Sequence, residues 1–367
     1  MKILVVQDYL RSGGTERQSV LLATAFAQAG HDTHLITFRP GGALLPSAPI
    51  SGLSIKSLQR RDTKLDWWAP GLAKRAKSIS PDVVLCMGRM ANCYAGAVQR
   101  ALPDKAVITT MRTGKNLPWA FRKSLQNCRH TIANSQAARD LLVEEHQLPK
   151  TEISVIANAL VFGPSPAPSR ETITATREQF QTAPDDIVLL DVAMFRPEKN
   201  QIALIEIAAQ LPKDIPWKLW LAGEGPALEA CQNRLKSMSL SDRVKLLGWI
   251  ADPRPLYQAA DIAVHASRSE SLSNFLIEAQ AHGLPAVAYA AQGVDETFID
   301  GESGTLIAPD DEDAFLSALL DLFRDTNKRR EMGRAGQAQA QQRFSADAQI
   351  KAHLDLFEKL ISLPSSA

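Results

Sequence analysis

The chain has 367 residues, of which 45% are hydrophobic and 22% are charged, and its formal net charge is +1. This composition is typical of a soluble globular protein with an ample core, and the length favours two domains over one. No apolar run approaches the roughly 18 residues of a membrane-spanning helix, and the opening run Ile3–Val6 is too short for a signal peptide. We therefore expect a cytoplasmic protein.

Short apolar runs alternate with helical stretches along most of the chain. Such alternation is typical of βαβ units, in which helices cover both faces of a parallel sheet. The pattern predicts an α/β fold with two Rossmann-like, doubly wound domains that face each other across a cleft and bind ligands beyond the carboxyl ends of their strands. The predicted strands are Ile3–Val6, His34–Thr37, Val83–Leu85, Ala106–Thr109, Ile187–Val192, Leu219–Ala222, Val244–Leu247, Ile262–Val264 and Ala286–Tyr289.

Gly13 and Gly14 follow the first predicted strand, and Thr15 with Gln18 forms a capping-box pattern at the start of a helix. Glycines let the backbone approach a ligand closely, although a Gly-Gly pair is more often only a turn. The stretch lacks the three-glycine dinucleotide fingerprint and the P-loop lysine. This argues against a nicotinamide dehydrogenase and a Walker-type ATPase.

The segment Trp119–Leu125 alternates basic residues with large apolar ones at helical spacing. It lies in a basic half of the chain, because residues 1–160 hold 21 Lys+Arg against 11 Asp+Glu, whereas residues 161–367 hold 20 against 29. The segment could lie on an anionic membrane surface. A solvated basic surface explains the charge excess equally well.

Prolines mark the domain boundary, because proline ends a helix and cannot donate a hydrogen bond in a sheet. Three of them fall within residues 164–168. We place the first domain at residues 1–162, a linker at 163–183 and the second domain at 184–345. A C-terminal helix at 346–367 is expected to pack back on the first domain.

Two cations follow the strand Ile187–Val192. Arg196 offers a bidentate fork and Lys199 a mobile point charge, and both are suited to phosphate. Either side chain could instead pair with Glu198 or Glu224 on the surface.

Two further strand ends carry candidate ligand-binding residues. Gly223 begins a tight turn after the strand Leu219–Ala222, and Trp249 follows the strand Val244–Leu247. Backbone groups near Trp249 could hydrogen-bond to a nucleobase edge, and Trp249 could equally be part of the core.

The segment from Glu270 to Glu278 is the most informative in the chain. Ser271 or Ser273 can cap a helix after the strand Ile262–Val264, which places Glu270 in a loop and Glu278 inside the helix. The helix N-terminus presents unpaired N–H groups to an anion. A diphosphate fits there, with the carboxylates accepting hydrogen bonds from sugar and ribose hydroxyls. Two solvated surface glutamates are the alternative.

The cysteines share no metal-ligand spacing, which favours reduced core thiols over a metal site or a disulfide. They are Cys86, Cys93, Cys128 and Cys231.

The ordered succession of these motifs resembles the retaining glycosyltransferases of family four, which have the GT-B fold. The resemblance covers nearly the whole chain. It rests on Gly13-Gly14-x-Glu16-Arg17, Pro197-Glu198-Lys199, Gly223-Glu224-Gly225-Pro226, the Glu270–Glu278 segment and Gly283-Leu284-Pro285.

The resemblance implies transfer of a sugar from a nucleotide-diphosphate sugar to an acceptor, such as a cell-surface glycan or a lipid-linked saccharide of polysaccharide or lipopolysaccharide biosynthesis. The second domain would take the donor and the first domain the acceptor. No cofactor, metal or nucleic acid is implied, and the enzyme could be peripheral on the inner face of the membrane. The absence of an Asp-x-Asp-type ligand motif agrees with metal independence.

The resemblance also implies roles for individual residues. Lys199 would hold the donor diphosphate and Glu278 the ribose hydroxyls, while Glu270 grips the transferred sugar with the amides near residues 272–274. Lys199, Arg196 and Glu270 are the implied catalytic residues, with no protein nucleophile, because the leaving phosphate helps to take the acceptor proton. The implied substrate-binding residues are Gly13, Gly14, Arg112, Gly223, Trp249, Leu272, Ser273, Asn274 and Glu278.

The chain departs from the family pattern at three places. Ala193-Met194 replaces Gly-Arg, so that Arg196 would substitute for the usual arginine, and Arg112 stands where a histidine is common. Ala157-Asn158-Ala159 replaces Pro-Asn-Gly. The donor therefore cannot be taken from better-known members. A nucleotide-sugar epimerase of the same fold and a catalytically impaired nucleotide-sugar-binding protein are the alternatives.

Overall fold

A computed structural model of the protein describes residues 1–163 and 169–363. The chain divides into two units. The first comprises Met1–Val161 and the C-terminal segment that begins at Ala346, and the second comprises Phe162–Ser345.

The first unit contains a seven-stranded parallel sheet. Its strands are β1 (Lys2–Gln7), β2 (Asp32–Thr37), β3 (Leu53–Ser57), β4 (Val83–Cys86), β5 (Ala106–Met111), β6 (His130–Ala133) and β7 (Ile153–Val155). Its helices before the second unit are α1 (Gly14–Gln28), α2 (Leu72–Ile79), α3 (Arg89–Ala101), α4 (Trp119–Leu125), α5 (Gln136–Glu144) and a 3-10 helix at Lys150–Glu152. The strand order is β3-β2-β1-β4-β5-β6-β7. The numbering falls as far as β1 and rises from β4, so the order of the strands reverses between β1 and β4, while all the strands stay parallel.

The second unit contains a six-stranded parallel sheet. Its helices are α6 (Arg170–Gln179), a 3-10 helix at Pro197–Lys199, α7 (Gln201–Ala209), α8 (Leu228–Met238), α9 (Arg254–Ala259), α10 (Asn274–Ala281), α11 (Glu312–Arg324) and α12 (Thr326–Phe344). Its strands are β8 (Ile187–Val192), β9 (Trp217–Ala222), β10 (Val244–Gly248), β11 (Ile262–His265), β12 (Ala286–Tyr289) and β13 (Gly304–Ile307). The order β10-β9-β8-β11-β12-β13 reverses between β8 and β11.

Each sheet is covered by helices on both faces. Neighbouring residues of a strand point to opposite sides of the sheet, so each strand contributes to both layers. Ile3 and Val5 of β1 pack with α1, whereas Leu4 and Val6 pack with α2 and α3. The second unit repeats this arrangement with two apolar clusters around β8. The predicted α/β fold with two Rossmann-like domains is confirmed.

A last helix, α13 (Ala346–Ser362), belongs to the first unit. The ring centroid of Phe357 lies 5.5 Å from that of Phe26 on α1, and both rings are fully buried. The predicted C-terminal helix at 346–367 therefore corresponds to α13, and residues 364–367 lie outside the described part of the chain.

The predicted linker at 163–183 is too long. Residues 164–168 lie outside the described residues, but Ser169 caps α6 by accepting a hydrogen bond from the Thr172 N–H at 3.1 Å. Arg177 of α6 donates to the Asp261 carboxylate at 2.9 Å, next to β11. Residues 169–183 therefore belong to the second unit, because α6 has apolar and ionic partners there.

Helix α1 begins differently from the prediction. Gly13 is its N-cap and no side chain caps it, so the Thr15–Gln18 capping box is wrong. Gln18 is buried, and its amide exchanges two hydrogen bonds with the backbone of Ala159, at 2.6 and 3.0 Å. The side chain points into the protein and therefore ties α1 to the segment after β7.

Within residues 1–163 and 169–363, no helix combines the length and the apolar character that crossing a bilayer requires.

Candidate active site

The candidate site lies in the second unit, where the strand order reverses between β8 and β11. The two strands pair through Leu189 with Ile262 and Leu190 with Ala263. Lys199 ends the 3-10 helix that follows β8, and Glu270 lies in the loop that follows β11. The carboxyl ends of strands at such a reversal form a crevice in which α/β proteins bind ligands.

Lys199 and Glu270 form an ion pair there, with the Lys199 ammonium donating to Oε1 of Glu270. The lysine side chain is 20% exposed and the glutamate side chain is 9% exposed. Burial raises the pKa of Glu270, but the charge of Lys199 and the hydrogen bond from His265 outweigh this effect and lower the pKa to about 2. Glu270 is therefore ionised at neutral pH.

His265 and Asp191 complete this cluster, and the sequence reasoning missed both. His265 Nδ1 lies 2.9 Å from Oδ1 of Asp191, and Nε2 lies 2.8 Å from Oε1 of Glu270. Burial lowers the pKa of His265, but its hydrogen bonds to the two carboxylates outweigh burial and raise the pKa to about 9. The available signal was a polar residue in each of two otherwise apolar, buried strands, because buried polar groups need partners.

Glu278 lies in the first turns of α10, as predicted, while Glu270 precedes the helix. Of the two predicted capping residues, Ser273 is the N-cap and accepts from the Leu276 N–H at 3.4 Å. Glu278 is buried, and the Tyr257 hydroxyl donates to its Oε2 at 2.6 Å. The surface alternative is therefore wrong for both glutamates, since each is buried.

Residues 272–274 form the entry to α10. Leu272 and Ser273 are buried, and Asn274 is half-buried. The loop is held against Gly293, where an added Cβ would lie 2.0 Å from the Ser271 carbonyl oxygen. The N-terminus of α10 follows Glu270 closely in the chain. Contacts of residues 272–274 with substrate stay a prediction.

Arg196 and Gly223 lie between Asp191 and His265 in the sequence. Arg196 is half-buried and N-caps the 3-10 helix, and no side-chain partner is found for its guanidinium in the described ranges. Gly223 has φ of +144°, and an added Cβ would lie 2.0 Å from the Ala193 carbonyl oxygen. Close backbone packing thus explains this glycine, and a substrate contact of either residue stays a prediction.

Trp249 is 40% exposed. The alternative that it belongs to the core is therefore wrong, because β10 ends at Gly248 and the indole lies at the surface. A nucleobase contact near Trp249 stays a prediction.

The remaining predicted residues lie in the first unit. Gly13 is the N-cap of α1 and Gly14 is its first residue. A Cβ added at Gly13 would lie 2.4 Å from Oε2 of Glu16, so the Glu16 carboxylate fills the space beside this glycine. Arg112 follows β5 and donates through Nη1 to Oδ1 of Asn158 at 2.6 Å. Its Nε and Nη2 are shut off from solvent without a partner in the part of the chain that the structure describes, and burial lowers its pKa to about 10.

The sequence reasoning also missed Asp8, which lies at the strand reversal of the first unit. Asp8 follows β1 and accepts hydrogen bonds from the Met90 and Ala91 N–H groups at 2.9 and 2.5 Å, at the start of α3. Burial raises its pKa to about 7, against the lowering effect of these bonds. An aspartate directly after a buried strand was the available signal.

Among the described residues, no three His, Cys, Asp or Glu side chains are grouped so that they could hold a metal ion. The carboxylates of the candidate site are instead paired with Lys199 and His265. Metal independence stays a prediction.

Two family models match the chain. The model described as Glycosyltransferase Family 4 matches residues 12–160, and the model described as Glycosyl transferases group 1 matches residues 172–339. The two matches together span most of the chain.

Two relatives come from Rhizobium meliloti. The chain is 26% identical over 354 residues to the lipopolysaccharide core biosynthesis glycosyltransferase LpsE, with 94% of this chain and 96% of LpsE covered. It is 30% identical over 211 residues to the lipopolysaccharide core biosynthesis glycosyltransferase LpsD, with 57% of this chain and 58% of LpsD covered. Both relatives are named as transferases, which does not favour the epimerase alternative.

Two solved structures resemble the fold over nearly the whole chain. HepE of Anabaena in complex with UDP has a TM-score of 0.82 at 22% identity, with 98% of this chain and 100% of HepE covered. WaaG, a glycosyltransferase involved in lipopolysaccharide biosynthesis, has a TM-score of 0.76 at 14% identity, with 97% and 99% covered. The fold is accordingly the GT-B fold.

Proposed function

This chain belongs to the glycosyl transferases of group 1 and is a glycosyltransferase, and from that premise we propose that it is a retaining, metal-independent enzyme whose donor binds at the Lys199–Glu270 pair. The observation that carries the proposal is this ion pair at the strand reversal of the second unit. A cation and an ionised carboxylate side by side match a sugar diphosphate, which offers anionic oxygens and hydroxyl donors.

Lys199 and Arg196 neutralise the charge that develops on the leaving diphosphate, and the N–H groups at the start of α10 assist them. Such preorganised electrostatic stabilisation usually supplies the largest part of the rate in this kind of reaction. Glu270 holds hydroxyl groups of the transferred sugar, and Glu278, oriented by the Tyr257 hydroxyl, binds the ribose. The leaving phosphate takes the acceptor proton, so that no protein nucleophile is assigned.

A uridine nucleotide is the first donor to test, because HepE of Anabaena has been solved with UDP and with UDP-glucose. A saccharide of lipopolysaccharide core biosynthesis is the first acceptor class to test, because LpsE matches the chain over nearly its full length. Titration calorimetry with UDP, GDP and ADP tests the nucleotide. Absence of binding to all three would contradict the donor site.

The first unit is proposed to face an anionic membrane that carries the acceptor. Residues 1–160 carry the basic excess, and Trp67, Trp68 and Trp119 are 55%, 41% and 69% exposed. The Lys123 ammonium lies 5.1 Å from the centroid of the Trp119 ring, which brings a cation and an apolar ring to the same surface of α4. Interfacial segments combine these two features.

A further inference from the structure

His265 lies between two buried carboxylates. The exposed fraction of the side chain is 1% for His265, 2% for Asp191 and 9% for Glu270. Both ring nitrogens are within hydrogen-bond distance of a carboxylate oxygen, at 2.9 Å for Asp191 and 2.8 Å for Glu270. With both carboxylates ionised, each can only accept a hydrogen bond, so both ring nitrogens donate and the ring is an imidazolium; the raised pKa of His265, about 9, agrees with this.

The charges around this imidazolium balance. Asp191 and Glu270 carry two negative charges, and His265 and Lys199 carry two positive charges. A buried carboxylate is costly unless it is paired and hydrogen-bonded, and this chain of contacts pairs both carboxylates. Cys231 of α8 also faces Asp191, but burial and the Asp191 charge raise the pKa of its thiol to about 11, so that it stays neutral.

The two donors to Glu270 both bind Oε1. Oε2 accepts no hydrogen bond from residues 1–163 and 169–363, and it is not among the buried atoms that lack a partner. Oε2 is therefore the oxygen that a ligand can reach.

We propose that Asp191 and His265 are positioning residues, which hold Glu270 by Oε1 so that Oε2 accepts a hydrogen bond from the donor sugar. This inference rests on the proposed function, because it assumes that a sugar donor binds beside Lys199. It gives the two cations separate tasks. Lys199 is flexible and partly exposed and moves to the donor diphosphate, whereas His265 is fixed by Asp191 and keeps Glu270 in place when Lys199 leaves Oε1.

The inference predicts a pH limit. Above a pH of about 9 His265 loses a proton, and one ring nitrogen then presents a lone pair to a carboxylate. The single remaining N–H must then serve either Asp191 or Glu270, so Glu270 loses its fixed donor and affinity for the sugar part of the donor falls. The charged groups that face His265 are Asp191 from β8, Glu270 from the loop after β11 and, through Glu270, Lys199; the Phe275 ring of α10 packs 5.6 Å away.

The test compares Asp191→Asn and His265→Gln with the wild type in titrations of UDP and UDP-glucose between pH 6 and 10. Asp191→Asn removes a charge that holds the proton, so the alkaline limit of UDP-glucose affinity should move down by roughly 1–2 pH units. His265→Gln should weaken UDP-glucose by roughly tenfold or more, the scale of one charge-assisted hydrogen bond, and change UDP affinity little. Asp261→Asn is the matched control, because it removes the Arg177 ion pair in the same unit and should leave the alkaline limit in place.

Nitrogen NMR of ring-labelled histidine supplies a readout that needs no donor, and loss of one signal in His265→Gln assigns the residue. Two protonated ring nitrogens at pH 7.5 are expected, and a neutral ring would overturn the inference. An unchanged alkaline limit in a folded Asp191→Asn variant would also overturn it. If the wild type binds UDP but not UDP-glucose, the comparison is repeated with other UDP-sugars. Failure of every nucleotide to bind the wild type contradicts the proposed function instead, and the NMR result still decides the charge state.

Discussion

Replacing Lys199 by alanine perturbs both the stability of the second unit and the proposed chemistry. The substitution removes one of the two cations that contact the buried Glu270 carboxylate. Breaking a buried ion pair by removing one partner costs about 3–5 kcal/mol. Because Lys199 is 20% exposed and His265 remains, we expect the free energy of unfolding to fall by about 1–3 kcal/mol.

The Lys199→Ala substitution should also lower the turnover rate. Loss of one preorganised group that meets transition-state charge usually lowers the rate by about a hundredfold or more. We therefore expect Lys199→Ala to reduce release of UDP from UDP-glucose, or from the donor that titration identifies, by at least about a hundredfold. Urea unfolding and steady-state turnover measure the two effects on the same preparation.

A double variant separates the two effects. Lys199→Ala combined with Glu270→Gln removes both partners of the ion pair, so it should regain part of the lost stability without regaining turnover. Wild-type turnover in a folded Lys199→Ala protein would refute the assignment of Lys199 to the leaving group.

Four further outcomes are expected. Glu278→Gln should weaken UDP binding by roughly 1.5–3 kcal/mol, and unchanged calorimetric affinity would remove Glu278 from the site. Because the pKa of Glu270 is lowered to about 2, its contribution to stability is present above the unfolded pKa of 4.5 and is lost as pH falls towards 2; Glu270→Gln should abolish this loss in acid unfolding curves. Gly293→Ala should cost about 1–3 kcal/mol in urea unfolding, because φ is +73° and the Cβ meets the Ser271 carbonyl, and an unaltered midpoint would contradict that packing. Anionic vesicles should co-sediment the protein at low salt and release it at high salt, whereas equally negligible binding to anionic and neutral vesicles at low salt would show that the basic excess is only a solvated surface.

Short apolar runs in the sequence were sufficient to predict nine of the strands. The nine predicted strands correspond to β1, β2, β4, β5, β8, β9, β10, β11 and β12. Four strands were missed because their sequences give a weak signal. β3, β7 and β13 are short strands at sheet edges, where only part of the surface is buried, and β6 begins with His130 and Thr131.

The Glu270–Glu278 segment was readable for a local reason. A buried strand, a capping serine and a helix stop at Gly283 determine which glutamate lies in the loop and which in the helix, and each of these signals acts over a few residues. The pairing of Lys199 with Glu270 joins residues 71 positions apart, so only the order of the strands brings them together.

The sequence by itself determined the alternation of strands and helices, the family motifs and the candidate residues at strand ends. Only the tertiary structure decided that Asp191 and His265 contact Glu270, that Gln18 binds Ala159 instead of capping α1, and that α6 belongs to the second unit. The physical reason is that local patterns fix backbone conformation, whereas the partner of a buried polar side chain is set by which strands become neighbours in the sheet.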